Sequence, residues 1–173
     1  PYIDTDRLSI MLLDGMNSAS RRPLEHGLIG SREISPTDRK ALDHRDARAD
    51  LPKSSKAFVT RISNALASDH DAGFRRRNAP ALLTRYLLDM QATFRQCLRC
   101  SRSGAEMMVV MGDNRISIGG TWVAIPSTRL LRDIALEAGF SLIEAIPLTV
   151  TTENMVHLRN AITDNTVLRF RKP

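Results

Sequence analysis

The feature that most constrains this chain is the unbroken apolar run Met107-Met108-Val109-Val110-Met111, followed at once by Gly112-Asp113-Asn114. A run of strand length without polar alternation predicts a strand covered on both faces, as in a parallel sheet. Its C-terminal end carries small and polar groups, and that is where open α/β sheets bind ligands. The neighbouring residues punctuate it. Ser101-Arg102-Ser103-Gly104 turns the chain into the strand. Residues 115–118 and 121–125 alternate around Gly119-Gly120, which predicts a hairpin. Pro126 ends it, and Ser127 or Thr128 is the expected cap of a helix over 128–138 with the apolar face Leu131, Ile134, Ala135 and Ala138. Gly139 stands at its C′ position, and 140–148 and 166–170 are the last two expected strands.

Upstream lies the clearest helical pattern, 80–99, with Pro80 in its first turn and Asn78 as the expected N-cap. Leu83, Tyr86, Leu87, Met90, Phe94, Cys97 and Leu98 recur at three- and four-residue steps. Fully burying one such side chain is worth roughly 1.5–3 kcal/mol, so the stripe predicts core rather than a cofactor site. Helix 80–99, strand 107–111, helix 128–138 and strand 140–148 alternate as in a doubly wound sheet, which makes the fold class α/β. The last strand follows a loop with no helix strong enough for a right-handed crossover. It is therefore expected to pair antiparallel with 140–148.

The first third of the chain is less regular. Residues 7–13 are apolar enough for a buried helix or strand, ended by Asp14-Gly15, and 27–34 is a second point of punctuation. Between 35 and 55 the pattern breaks into Pro36, Pro52 and alternating charge, which reads as a solvated linker or exposed helix. Phe58, Ile62 and Leu66 restore helical spacing over 57–67, and 68–73 closes that helix.

A length of 173 residues suits one domain or a substantial part of a larger one. The net charge of +6 favours an anionic partner, of which nucleic acid is the commonest, although the same charge also serves solubility. Arg75-Arg76-Arg77 is the densest positive run. It suits phosphates, with Phe74 beside it for a sugar or base, although a run of three by itself reads first as a solvated helix start. The sequence shows no secretory signal and no apolar run of membrane-spanning length, so a soluble cytoplasmic chain without a membrane partner is expected. Cys97 and Cys100 form one C-x-x-C at the end of a helix, away from the N-terminal position that lowers a thiol pKa, and there is no second pair to complete a zinc site. His26, His44, His70 and His157 have no ligand spacing, so no metal is expected. P-loop, G-x-G-x-x-G, H-E-x-x-H and G-x-S-x-G motifs are all missing.

An opening Pro1-Tyr2 is what a chain cut inside a larger protein would show. Taken with the residues that follow, it resembles the site-specific DNA methyltransferases that methylate the exocyclic amino nitrogen of cytosine or adenine. Pro1-Tyr2 is similar to the last two positions of their S-P-P-Y or D-P-P-Y tetrapeptide, Arg7-Leu8-Ser9-Ile10 to their R-L-S-L segment, and Leu28-Ile29-Gly30-Ser31-Arg32-Glu33 to their I-G-S-R/E element. The helix containing Tyr86-Leu87-Leu88-Asp89-Met90 and the turn at Ser101 resemble the approach to their fifth strand. Val109-Val110-Met111-Gly112-Asp113-Asn114 is similar to its V-V-G-D-S/N end. Ile125-Pro126-Ser127-Thr128 and Gly139-Phe140 resemble the I-P-T helix and the G-F entry to the sixth strand, and Val167-Leu168-Arg169-Phe170-Arg171-Lys172 the V-L-V-F-R-K seventh strand.

The resemblance implies the C-terminal half of a Rossmann-like methyltransferase sheet with an antiparallel final strand. It implies S-adenosyl-L-methionine as cofactor, DNA as substrate, and an upstream half or partner chain carrying the cofactor loop. It divides the chain into a post-catalytic-turn segment (1–34), a basic irregular insertion suited to DNA contact or target recognition (35–80), and the sheet portion (81–173). By the same resemblance Pro1 fixes the catalytic turn and Tyr2 stacks on a base taken out of the duplex. Asp113 and Asn114 shape the rim of the target pocket; the charge run Arg75-Arg76-Arg77, and with it Arg32, is expected to contact nucleic acid. Two alternatives stay open: an RNA or other amino-methyltransferase, and a non-catalytic nucleic-acid-binding module that lacks the cofactor half.

Overall fold

The structure, a computed structural model, describes residues 27–149 and 164–173. Pro1, Tyr2 and the expected apolar segment at 7–13 lie outside the described residues. Ser35 accepts the Asp38 N–H at 3.1 Å and opens α1 (Pro36–Asp43), with Pro36 in the first turn where its missing N–H costs nothing. A 3-10 turn (Arg45–Arg48) leads to α2 (Lys53–Ala67), which buries Phe58, Val59, Ile62 and Leu66 along one side. One helical turn, α3 (Phe74–Arg77), precedes α4 (Ala79–Cys100), whose 22 residues span about 33 Å.

Of the two readings of 35–55, the exposed helix holds for α1, and the helical spacing expected over 57–67 falls within α2. Asp38, Arg39, Lys40 and Asp43 sit on α1, which buries no residue, whereas Arg48 is buried and Leu51 and the apolar side of α2 enter the same core as α4. The buried line of α4 also differs from the apolar stripe. It runs Ala81, Thr84, Leu87, Gln91, Phe94, and Leu83, Tyr86, Met90, Cys97 and Leu98 flank it half-buried. Two polar residues fit that line because each is satisfied within it. Thr84 donates to the Pro80 carbonyl at 2.9 Å, and the Gln91 amide donates to the Asp50 carbonyl at 2.7 Å.

The strands form two sheets. One is a hairpin of β2 (Asn114–Ile118) and β3 (Thr121–Ile125) about Gly119 and Gly120, as the alternation predicts. The other contains β1 (Glu106–Gly112), β4 (Ser141–Thr149) and β5 (Asp164–Arg171) in the order β1-β5-β4. The last strand pairs antiparallel with β4, as expected, and it also pairs antiparallel with β1. Strands β1 and β4 therefore run in the same direction with β5 between them.

The expectation of a doubly covered parallel strand at 107–111 is corrected. Met107, Val109 and Met111 pack against the core, whereas Met108 and Val110 are more than half exposed, at 64 % and 61 %. The run is unbroken because its outward residues are apolar too: Met108 and Val110, with Ile146 and Leu148, are exposed on a face they share with the Glu106–Arg169–Glu144 ion pairs. On the inner face, Phe170 is fully buried, with its ring centroid 6.4 Å from Phe94 and 6.1 Å from Phe140. Helix α5 (Ser127–Ala138) packs across β1, β4 and β5 through Leu130, Leu131, Ile134 and Ala135, and ends at Gly139 with φ +113°.

Candidate functional site

The polar end of β1 adjoins the start of α5. The Asp113 carboxylate accepts the Thr128 N–H at 2.9 Å, so the cap of α5 comes from Asp113 and not from the Ser127 or Thr128 side chain. A carboxylate there meets both an orphan N–H and the positive end of the helix dipole. Asn114 turns its amide oxygen back to accept the Arg115 N–H at 2.9 Å. Both residues are exposed at the surface.

The far end of the hairpin is held by another aspartate. Asp69, only 9 % exposed, accepts the Gly119 N–H at 2.8 Å and the Asp71 N–H at 3.2 Å, with Arg76 at 3.8 Å. The hairpin is thereby fixed at its base by Asp113 and at its tip by Asp69, with roughly 15 Å of strand between. Its inner side chains, Ile116, Ile118, Val123 and Ile125, join the core. On the outer side the Arg115 guanidinium lies over the Trp122 ring, 4.6 Å from its centroid.

The expected nucleic-acid residues fall in two places. Arg76 donates to the Asp71 carbonyl at 3.0 Å and Arg77 to the Ala72 carbonyl at 2.7 Å, so these two close the 69–73 turn. Arg75 is exposed in the same helical turn. Arg32 is an exposed residue of the loop that precedes α1. The peptides on either side of it are clamped by Arg85, which donates to the Ser31 and Glu33 carbonyls. One turn along α4, burial pushes the Asp89 carboxyl pKa up, and the Arg85 charge draws it partly back. Arg75–Arg77 therefore sit at the tip end of the hairpin, and Asp113 and Asn114 at its base.

Between α1 and the turn at 74–78 lies an open groove of about 600 Å³. Ile34, Pro36 and Phe74 give it apolar surface, and Arg39 and Lys40 give it positive charge beside the Asp43 carboxylate. Phe74 is 72 % exposed. Asn78 also lines the groove. It stands at the N-cap position of α4, as expected, but its backbone is helical and its side chain makes no capping hydrogen bond. It is 4 % exposed, and its amide oxygen is buried with no hydrogen-bond donor among the described residues.

Sequence reasoning did not find Asp69, Arg85, Asn78 or the stacked Arg115–Trp122 pair. The last had a signal, since period-two alternation puts Arg115 and Trp122 on the outward side of adjacent strands. Among the described residues no cluster of His, Cys, Asp or Glu could hold a metal ion, and no helix is long and apolar enough to cross a membrane. Cys97 is half-buried and Cys100 exposed at the end of α4, both as free thiols.

No family model matches the sequence, and no curated protein matches it. Solved structures of a Thermus thermophilus protein described as a DNA modification methylase align with part of it. The form complexed with S-adenosyl-L-methionine has 19% identity and TM-score 0.43, over 51% of this chain and 37% of that one. Its selenomethionine derivative has 18% identity and TM-score 0.43, over 75% and 50%. The chain thus spans half the length of that protein or less.

Proposed function

We propose that this chain is the C-terminal part of an S-adenosyl-L-methionine-dependent DNA methyltransferase acting on the exocyclic amino group of cytosine or adenine. The observation that carries the reading is the path of the last strand. The motifs similar to a fifth, a sixth and a seventh strand fall on β1, β4 and β5, and the seventh runs antiparallel, as the resemblance requires. On this reading the sheet is the C-terminal half of a Rossmann-like methyltransferase sheet, and the division at 34 and 80 separates the post-catalytic-turn segment and a DNA-contact region from it.

The described residues do not offer a seat for the cofactor. Gly30, Gly104, Gly119 and Gly120 have positive φ but stand in open surface turns, with nothing within 4 Å of an added Cβ. None of them joins the end of a sheet strand to a helix. An upstream half or a partner chain holds the cofactor on this reading, and it supplies the methyl group.

The residues assigned to this chain act on the acceptor. An exocyclic amine is a poor nucleophile because its lone pair is delocalised into the ring. Pro1 fixes the turn that presents hydrogen-bond acceptors to the amino hydrogens, and Tyr2 stacks on the extruded base. Asp113 and Asn114 border the pocket, and Arg32, Arg75, Arg76 and Arg77 meet phosphates.

The test is methyl transfer from labelled S-adenosyl-L-methionine to DNA by the product of the full reading frame, followed by nucleoside mass spectrometry to identify the base. Transfer to an exocyclic amino group is expected, with Tyr2→Ala losing turnover while retaining its circular dichroism spectrum. Failure of the intact protein to methylate DNA, or near-wild-type turnover in Tyr2→Ala, would remove the assignment.

A further inference from the structure

We propose that the groove between α1 and Phe74 is a nucleotide subsite that takes an unpaired nucleotide of the DNA strand. The choice of DNA over other polynucleotides rests on the function proposed above; the site itself rests on geometry. The groove combines three features that a nucleotide needs together. Phe74 is a large apolar ring left 72 % exposed at the groove wall, with Ile34 and Pro36 adding apolar lining, which suits the face of a base. Arg39 and Lys40, about one helical turn from Pro36, supply positive charge for a phosphate. Asp43 shares the groove and pairs with Arg39 through Nε at 3.6 Å, so a phosphate there competes with that carboxylate for Arg39 and meets Lys40 beside it.

The third feature is Asn78. Its side chain is more than nine-tenths buried at the groove, yet its amide oxygen meets no donor. Buried acceptors are normally paired, so the position calls for a donor that the described residues do not supply. The oxygen itself has no accessible surface, so a base edge, which carries such N–H groups, meets it only once the Asn78 side chain turns toward the groove. An acidic peptide would meet the two cations but would leave the ring and the amide unused. A volume of about 600 Å³ is in the range that holds small ligands.

The experiment is fluorescence anisotropy with a labelled single-stranded oligodeoxynucleotide, its duplex and the matching oligoribonucleotide. Phe74→Ala should weaken single-strand binding about 5- to 150-fold, the range for losing one stacked base, with Phe74→Trp near wild type. Lys40→Glu should weaken binding further and flatten its salt dependence. Phe74 is exposed, so its variants keep the fold, which circular dichroism checks. Equal affinities for wild type and Phe74→Ala, or a loss that Phe74→Leu restores as fully as Phe74→Trp, overturn the subsite. Tighter Phe74-dependent binding of the ribonucleotide overturns the choice of DNA. The two readings fail separately: Phe74-dependent binding without methyl transfer sinks the methyltransferase, and methyl transfer with Phe74-independent binding sinks the subsite.

Discussion

Replacing Asp113 with alanine removes two things at once: the acceptor that meets the Thr128 N–H at 2.9 Å and a negative charge at the start of α5. Losing an N-cap acceptor costs about 0.5–2 kcal/mol, and losing a charge at a helix N-terminus about 0.3–1 kcal/mol. Asp113 is exposed, so water takes over part of the lost hydrogen bond, and the sum falls near ~1–1.5 kcal/mol. For a protein of this size that is a fall in Tm of roughly 2–6 °C. Asp113→Asn keeps an oxygen acceptor and loses only the charge, which should cost about 0.5 kcal/mol. Thermal denaturation followed by circular dichroism reads both variants, and hydrogen exchange at the Thr128 amide reads the bond itself. If Asp113→Ala left Tm and that exchange rate unchanged, or Asp113→Asn were the worse of the two, the capping role of Asp113 would be refuted. The comparison also isolates the rim role, because a KM effect measured well below Tm is separate from the stability loss.

Two further outcomes follow from packing and charge. Gly139→Ala forces a side chain onto φ +113° and brings its Cβ to 3.0 Å from Leu98 Cδ2, for a cost of roughly 1–3 kcal/mol read from the urea midpoint; an unchanged midpoint would count against it. Glu106 accepts hydrogen bonds from Arg169 and Arg171, which hold its pKa below the ordinary glutamate value. Because that pKa is lowered by folding, its contribution is full above the ordinary carboxylate range and is lost as pH falls through the folded-state value. Glu106→Gln should therefore be less stable than wild type at neutral pH and equal to it in strong acid, and a pH-independent difference would contradict the Glu106–arginine pairing.

The elements downstream of residue 80 were legible in the sequence, because period and punctuation agree there. The hairpin about Gly119-Gly120, the Gly139 cap and the antiparallel last pairing follow from local patterns and the weak helical pattern of the sequence before the last strand. What the sequence hid depends on partners far along the chain. Gln91 belongs to the buried line of α4 because its amide reaches Asp50, 41 residues away. Asp69 reads as a loop residue until the Gly119 N–H arrives from 50 residues downstream. The run at 107–111 misleads for a different reason: apolar composition reports that both faces prefer cover, and among the described residues only one has it. The groove was half legible. Phe74 stood out beside the arginines, but nothing local tells that Asn78 is buried with an unmet oxygen.

The position of β5 also governs the order in which the sheet can come together. Strands β1 and β4 never pair with each other, and each finds its hydrogen-bonded neighbour in residues 164–171. Glu106 waits for Arg171, 65 residues later, and the end of α4 waits for Lys172, which donates to the Leu98 and Ser101 carbonyls. During synthesis the helices and the hairpin can form as they emerge, but the three-stranded sheet cannot zip until its middle strand is released. Closing loops of that length makes the step slow, since the chain entropy is lost before the contacts repay it. Until then Phe94 and Phe140 lack the ring that joins them, and the inner faces of β1 and β4 stand open to other chains.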